Sequence, residues 1–155
     1  MVIMQNIIQV DIELKCDVSE AFDFFTVNEQ LESWLPEKAE VESKVGGKYE
    51  LFWDPKNRDI NSTIGCKITS IQKDKFVSFE WKGPEIFQSF MNFCDPLTHV
   101  VVVFSSIPDD PKKTTLFLFH SGWRDDPEWQ KARDYFEKAW SVALTNLKEK
   151  LSNNG

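Results

Sequence analysis

The sequence lacks any apolar run long enough to cross a membrane, because no stretch approaches about 18 consecutive apolar residues. Residues 1–15 also lack a basic segment followed by an apolar one, which is the pattern of a secretory signal. We therefore expect neither a membrane span nor export, and we expect the protein to be cytoplasmic.

Cysteine and histidine are both scarce. The three cysteines, Cys16, Cys66 and Cys94, are odd in number and widely spaced, so no pair has the spacing of a zinc site or a redox dithiol. They are better explained as reduced apolar side chains than as functional thiols. The two histidines, His99 and His120, have no serine or cysteine with an acidic partner at a recognisable motif spacing. We expect no metal, no cofactor and no catalytic residue.

Positive charge is in the minority. The 18 Lys and Arg residues are outnumbered by 25 Asp and Glu residues, which gives a net charge of −7 at neutral pH. No cluster of basic residues offsets this repulsion toward phosphate groups. The composition therefore argues against nucleic acids and anionic membranes as partners.

Aromatic residues, in contrast, are abundant. Six Trp and thirteen Phe help to bring the aromatic fraction to 14%, which is more than the core of a small domain usually requires. The length suits one domain that can fold without a metal or a disulfide. We expect residues 1–155 to form a single domain with a wide interior.

The C-terminal stretch from Asp126 to Leu151 has the strongest periodicity in the chain. Asp126 can cap a helix, and Pro127 suits the first helical position because its missing donor would be unpaired there. At 100° per residue, one side of this helix is an apolar stripe formed by Trp129, Ala132, Phe136, Ala139, Trp140, Ala143, Leu144, Leu147 and Leu151. Such a helix needs a large apolar surface to cover it.

The preceding chain has the patterns of that surface. Residues 8–14 alternate like a strand, Asp17 and Glu20 resemble a capping box for a short helix, and Asn28 can cap a second one that Pro36 closes. Strand patterns follow at 39–43, 49–53, 62–72, 77–81, 98–107 and 114–121, while residues 84–96 have helical spacing and could form a lid. The order predicts an α+β fold in which a curved antiparallel sheet of about six to seven strands, joined as consecutive neighbours, wraps around the C-terminal helix.

Several short motifs together resemble a known family. They are Leu31, Trp34 and Leu35; Val45-Gly46-Gly47-Lys48-Tyr49 with Trp53; Phe79-Glu80-Trp81 with Gly83-Pro84; Thr98-His99-Val100; His120-Ser121-Gly122-Trp123; and Trp129 with Phe136 and Trp140. Over almost the whole chain the sequence resembles the START-like (SRPBCC, helix-grip) superfamily, and within it the homologues of the activator of the heat-shock-protein-90 ATPase. The 84–96 segment is longer than the minimal pattern of that family.

The resemblance implies a helix-grip fold with a deep cavity between the sheet and the long helix, often occupied by an apolar small molecule. It does not imply one reaction, because members of the superfamily include ligand carriers, cyclases and co-chaperones and share no catalytic motif. It also implies a chaperone as a candidate partner.

The inward-facing positions supply the candidate ligand-binding residues. The aromatic ones either line a pocket or fill a packed core; His120 is either a polar anchor or a satisfied structural histidine; and Arg133 either holds a ligand carboxylate or lays its stem over the aromatic rings with its head in water. The complete set is Trp34, Tyr49, Trp53, Phe79, Trp81, Phe104, His120, Trp123, Arg133, Phe136 and Trp140.

Three functions follow, in order of preference. The first is a module that binds an apolar or aromatic small molecule, the second a co-chaperone-like interaction protein, and the third an enzyme that uses groups such as His120 and Arg133. A homodimer is also expected, because Val101, Val103, Phe117 and Phe119 form an apolar outer strip on the sheet face opposite the helix. Alternatively, the N-terminal residues or the 84–96 segment cover this outer strip.

Overall fold

The computed structural model describes residues 6–153 of the chain. Within this range it contains seven strands, four α-helices and one short 3-10 helix, at Glu85–Phe87. The strands are β1 (Ile8–Leu14), β2 (Lys38–Val41), β3 (Tyr49–Phe52), β4 (Ile68–Gln72), β5 (Phe76–Trp81), β6 (Thr98–Ile107) and β7 (Asp110–Ser121). The helices are α1 (Val18–Thr26), α2 (Asn28–Glu32), α3 (Gln88–Met91) and α4 (Pro127–Asn153).

Five strands form one antiparallel sheet in the order β1-β7-β6-β5-β4, and β2 and β3 form a separate hairpin. Two isolated bridges, Lys48 with Lys67 and Phe52 with Ser62, join the hairpin to the chain around β4. The expected α+β architecture is confirmed, including the two short helices after β1. The expectation of consecutive neighbours holds from β4 to β7 but is wrong for β1, which pairs with β7. The helices between β1 and β2 replace the tight turn that would have paired those two strands.

The alternation along β6 and β7 separates a core face from an outer face. Val100, Val102, Leu116 and Leu118 are buried, whereas the outer strip is only partly buried. Helix α4 buries most of its predicted stripe: Trp129, Ala132, Phe136, Trp140, Leu144, Leu147 and Leu151. The faces predicted for the helix and for these strands are therefore confirmed, except that Ala139 and Ala143 stay partly exposed.

The capping predictions have mixed outcomes. The Asp17 side chain accepts a hydrogen bond from the Glu20 amide at 2.9 Å, as the capping pattern predicted. The predicted cap by Asn28 is wrong, because Val27 occupies the cap position of α2. The Asn28 Oδ1 atom instead accepts from the Val41 amide at 2.8 Å and so ties α2 to the hairpin. A short polar side chain can serve either bond, and the nearby strand decided which one forms.

The strand predicted from residue 62 is shorter than expected. Residues 63–66 form a turn in which the Cys66 amide donates to the Thr63 carbonyl, and Gly65 has a φ of +86° that favours glycine. Only Ile68–Gln72 pairs as strand β4. A period-2 pattern does not distinguish a strand from an irregular segment whose side chains also alternate.

Residues 85–91 of the 84–96 segment are helical, as the spacing predicted, and they pack against the first half of α4. The Phe87 ring lies 5.3 Å from the Tyr135 ring, and the Phe90 ring lies 5.0 Å from the Trp129 ring. These contacts place the segment beside the helix and give no support to its covering the outer strip. Residues 1–5, named as the other candidate cover, lie outside the described residues.

Candidate functional site

A cleft of about 630 Å³ opens between helix α4 and the end of strand β5. Its remaining walls come from residues 34–35, just after α2, from residues 53 and 61–62, and from residues 82–84. The lining residues are Trp34, Leu35, Trp53, Asn61, Ser62, Trp81, Lys82, Gly83, Pro84, Tyr135, Phe136, Lys138, Ala139, Trp140, Val142, Ala143 and Asn146. The wall is therefore mainly apolar and aromatic, with a few polar groups.

Helix α4 forms its wall with a face beside the buried stripe. Tyr135, Ala139, Val142, Ala143 and Asn146 recur at helical spacing on this face, so they line the cleft together. Two of them are alanines, whose small side chains do not reach across to the opposite wall. The cleft exists partly because these positions hold small residues.

Trp81 is at the centre of the aromatic wall. Its ring centroid lies 5.1 Å from that of Trp140, 5.9 Å from that of Phe79 and 6.0 Å from that of Trp53. Trp81 is 3% exposed, and its Nε1–H group has no hydrogen-bond partner among the described residues. A buried donor without an acceptor costs about 1–3 kcal/mol of stability, so this N–H group is an unusual feature of the wall.

His120 connects the sheet to the helix beneath this wall. The Trp140 Nε1–H group donates to the His120 Nδ1 atom at 3.1 Å, and the His120 Nε2 atom lies 3.0 Å from the Thr98 Oγ1 atom. Because an indole is only a donor, Nδ1 is an acceptor and the neutral ring carries its proton on Nε2. Complete burial, and secondarily the neighbouring His99, lower the pKa of His120 from its ordinary value of 6.5 to about 3. Both ring nitrogens thus have partners inside the protein, and the ring stays neutral.

Arg133 lies outside the cleft lining. Its guanidinium is 3.4 Å from an Asp134 carboxylate oxygen and 3.2 Å from a Glu137 carboxylate oxygen. The cations that do line the cleft are Lys82 and Lys138. None of the described lining residues is acidic, although acidic residues outnumber basic ones in the whole chain.

The structure divides the aromatic candidates between the cleft and the core. Trp34, Trp53, Trp81, Phe136 and Trp140 line the cleft. The others, Tyr49, Phe79, Phe104 and Trp123, are buried within the core and do not line the cleft.

The core aromatics have their own partners. Tyr49 stacks on Phe79 with the ring centroids 3.7 Å apart, and its hydroxyl donates to the Phe25 carbonyl at 2.7 Å. Phe104 packs edge-on against Phe25, and the Trp123 Nε1–H group donates to a backbone carbonyl at 3.0 Å. These side chains fill space that could otherwise have extended the cleft.

Sequence reasoning missed several of the lining residues. Tyr135 and Val142 had a detectable signal, because large apolar residues on the outer side of a helix favour a binding surface. Lys82, Asn61 and Ser62 had none, since their positions depend on how the loops fold back over the sheet.

The described residues contain no group of three or more His, Cys, Asp or Glu side chains arranged to hold a metal ion. Burial raises the pKa of the Cys16 thiol to about 12, and burial likewise raises the pKa of the Cys66 thiol to about 12, so neither is a reactive thiolate. Between residues 6 and 153, no helix is long and apolar enough to span a membrane.

Solved structures share this fold over nearly the whole chain. An HSP90 activator from Plasmodium falciparum is 24% identical, with a TM-score of 0.72, and the match covers 94% of this chain and 96% of that one. A protein from Mesorhizobium loti is 18% identical, with a TM-score of 0.71 and coverage of 95% and 98%. The Aha1 dimer from Colwellia psychrerythraea is also 18% identical, with a TM-score of 0.67 and coverage of 94% and 95%. At these identities the similarity shows the fold alone.

Comparison with family models gives the more specific result. No curated protein matches the chain. The model described as "Activator of Hsp90 ATPase homolog 1-like protein" matches residues 15–152, which are nearly the whole sequence. The resemblance inferred from the short motifs is thereby confirmed. The chain belongs to the family of activator of Hsp90 ATPase homolog 1-like proteins.

Proposed function

We propose that this protein binds a small, mainly apolar molecule in the cleft between helix α4 and the end of strand β5. The observation that carries this proposal is the 630 Å³ volume left open between aromatic walls, which lies within the range of about 300–1,000 Å³ typical of small-molecule sites. Trp53, Trp81 and Trp140 offer flat apolar surfaces to such a guest.

The cleft has the polarity of a binding site. Most of its wall is apolar, and the few polar side chains, such as Lys82 and Asn61, can orient a guest. A well-packed core would have no such gap, because protein interiors are as dense as organic crystals. Burial of apolar guest surface here supplies the free energy of binding.

Filling the cleft from the helix side tests the proposal. Ala143→Phe places a ring in the cleft, whereas Ser141→Phe places the same ring on an exposed position of α4 that does not line it. Small molecules extracted from the purified wild type are identified by mass spectrometry and titrated against all three proteins. We expect binding to the wild type and to Ser141→Phe and none to Ala143→Phe. Equal binding to both variants would refute the cleft as the site.

A second candidate function is binding to the HSP90 chaperone and stimulation of its ATPase. It is favoured by the family to which the chain belongs and by the similarity to the HSP90 activator from Plasmodium falciparum. Phe93, which is 82% exposed, is a candidate contact for a protein partner because large exposed aromatic residues often mark interfaces. Stimulation that is lost in Phe93→Ser and kept in Val45→Ser, another exposed apolar position, supports this function. Absence of stimulation by the wild type would exclude it.

A further inference from the structure

The cleft wall contains more hydrogen-bond donors than free acceptors. Lys82 and Lys138 bring two ammonium groups to the lining, and the N–H group of Trp81 is buried without a partner among the described residues. Two of the other polar side chains already bond within the protein, since Ser62 donates to the Arg58 carbonyl and the Asn61 Oδ1 atom accepts from a backbone amide. Such a wall favours a ligand that brings its own acceptors.

The charges of the lining residues also favour a ligand with acceptor groups. The protein has a net charge of −7, yet the described lining residues include two lysines and no acidic side chain. A cleft with low-dielectric walls focuses the potential of the charges that line it. An anionic group in this cleft is therefore attracted locally despite the acidic surface elsewhere.

Lys82 is the better placed of the two lysines. Its side chain is half-buried, and its Nζ atom donates to the Ile64 carbonyl at 2.7 Å, so the ammonium is held in one position. An ammonium has three donors, and no acidic partner of Lys82 lies within 4.0 Å among the described residues. Two donors remain for a ligand, whereas Arg133 is paired with two carboxylates outside the cleft.

We infer that the ligand is an apolar carboxylic acid whose carboxylate bonds to the Lys82 ammonium while its apolar body lies between the tryptophans. This inference rests on the proposed function and names the class of ligand. The fixed ammonium loses little side-chain freedom on binding, and charge-assisted hydrogen bonds are about twice as strong as neutral ones.

Naphthalene-1-acetic acid and its amide are matched probes, because they share one aromatic body and differ in charge. Isothermal titration calorimetry should show that the wild type binds the acid roughly tenfold more tightly than the amide. Lys82→Gln keeps a polar N–H side chain but removes the charge, so the acid should then bind no better than the amide. Lys148→Gln changes the net charge equally on an exposed position of α4 outside the lining, and it should leave the acid preference intact.

A measurement on the wild type alone keeps the inference testable if Lys82→Gln folds poorly. Raising the salt from about 0.05 M to about 0.5 M should weaken binding of the acid and leave binding of the amide nearly unchanged. Equal affinities for acid and amide, or equal weakening of both by Lys82→Gln, would overturn the inference while leaving the cleft as an apolar site. Binding of neither probe to the wild type, or equal binding to Ala143→Phe, would instead overturn the proposed function.

Discussion

Acidification should destabilise this protein through His120. His120 is completely buried, with Thr98 at one ring nitrogen and Trp140 at the other. Protonation of Nδ1 would turn an acceptor into a donor and would place two donors, that nitrogen and the Trp140 indole, against each other. Burial therefore lowers the pKa of His120 from 6.5 in the unfolded chain to about 3 in the folded protein.

The direction in which stability changes with pH follows from the number of protons that the folded and unfolded states bind. Between pH 6.5 and about 3 the unfolded chain binds a proton at this residue that the folded protein does not bind. The contribution of His120 to stability is thus present above pH 6.5 and is lost as the pH falls toward 3. The slope is about 1.4 kcal/mol per pH unit, so at about pH 5 the loss is about 2 kcal/mol. That is a large part of the stability of an ordinary domain.

Urea unfolding followed by circular dichroism, at about pH 7 and about pH 5, measures this effect. His120→Gln removes the titrating group, so the stability difference between wild type and variant should shrink by about 2 kcal/mol over this interval. His99→Gln is the matched control. It removes the other histidine and should leave the contribution of His120 to the loss of stability in place. A difference between wild type and His120→Gln that does not change with pH would refute the buried, neutral ring.

Three further predictions concern the core, the turn after β5 and the outer strip. Trp140→Phe keeps an aromatic ring but leaves the His120 Nδ1 atom without its donor, and it should cost about 1–3 kcal/mol in urea unfolding. Gly83→Ala should lower the melting temperature because its new methyl group would lie 2.5 Å from the Met91 Sδ atom, and adding Met91→Ala should cancel much of that specific clash. Sedimentation should show a homodimer that Phe119→Ser weakens, whereas a wild type that is monomeric at micromolar concentration would contradict the role expected for the outer strip.

Local periodicity determined most of the architecture. The stripe of α4, the alternation of β6 and β7 and the Asp17 cap were all predictable, because burial and capping repeat at spacings that a helix or a strand imposes on its own residues. The family was also recognisable from short motifs, and the matching family model confirms it. These properties can be predicted without knowing which distant segments of the chain come into contact.

Non-local contacts decided the rest. The pairing of β1 with β7 and the bond of Asn28 to the hairpin, in place of a cap, each depend on a partner outside the local element. A choice between alternatives of similar local energy is made by the neighbour that is present in the folded state. No window of sequence contains that neighbour.

The candidate site shows the same division most clearly. An excess of tryptophan predicted a wide aromatic interior, and Trp81 and Trp140 do line the cleft. That Lys82 lies at the wall, that Arg133 is paired elsewhere, and that Ala143 leaves the space open were decided by tertiary structure. A cleft is the volume that packing fails to fill, so its position depends on the sizes and directions of side chains from several elements at once.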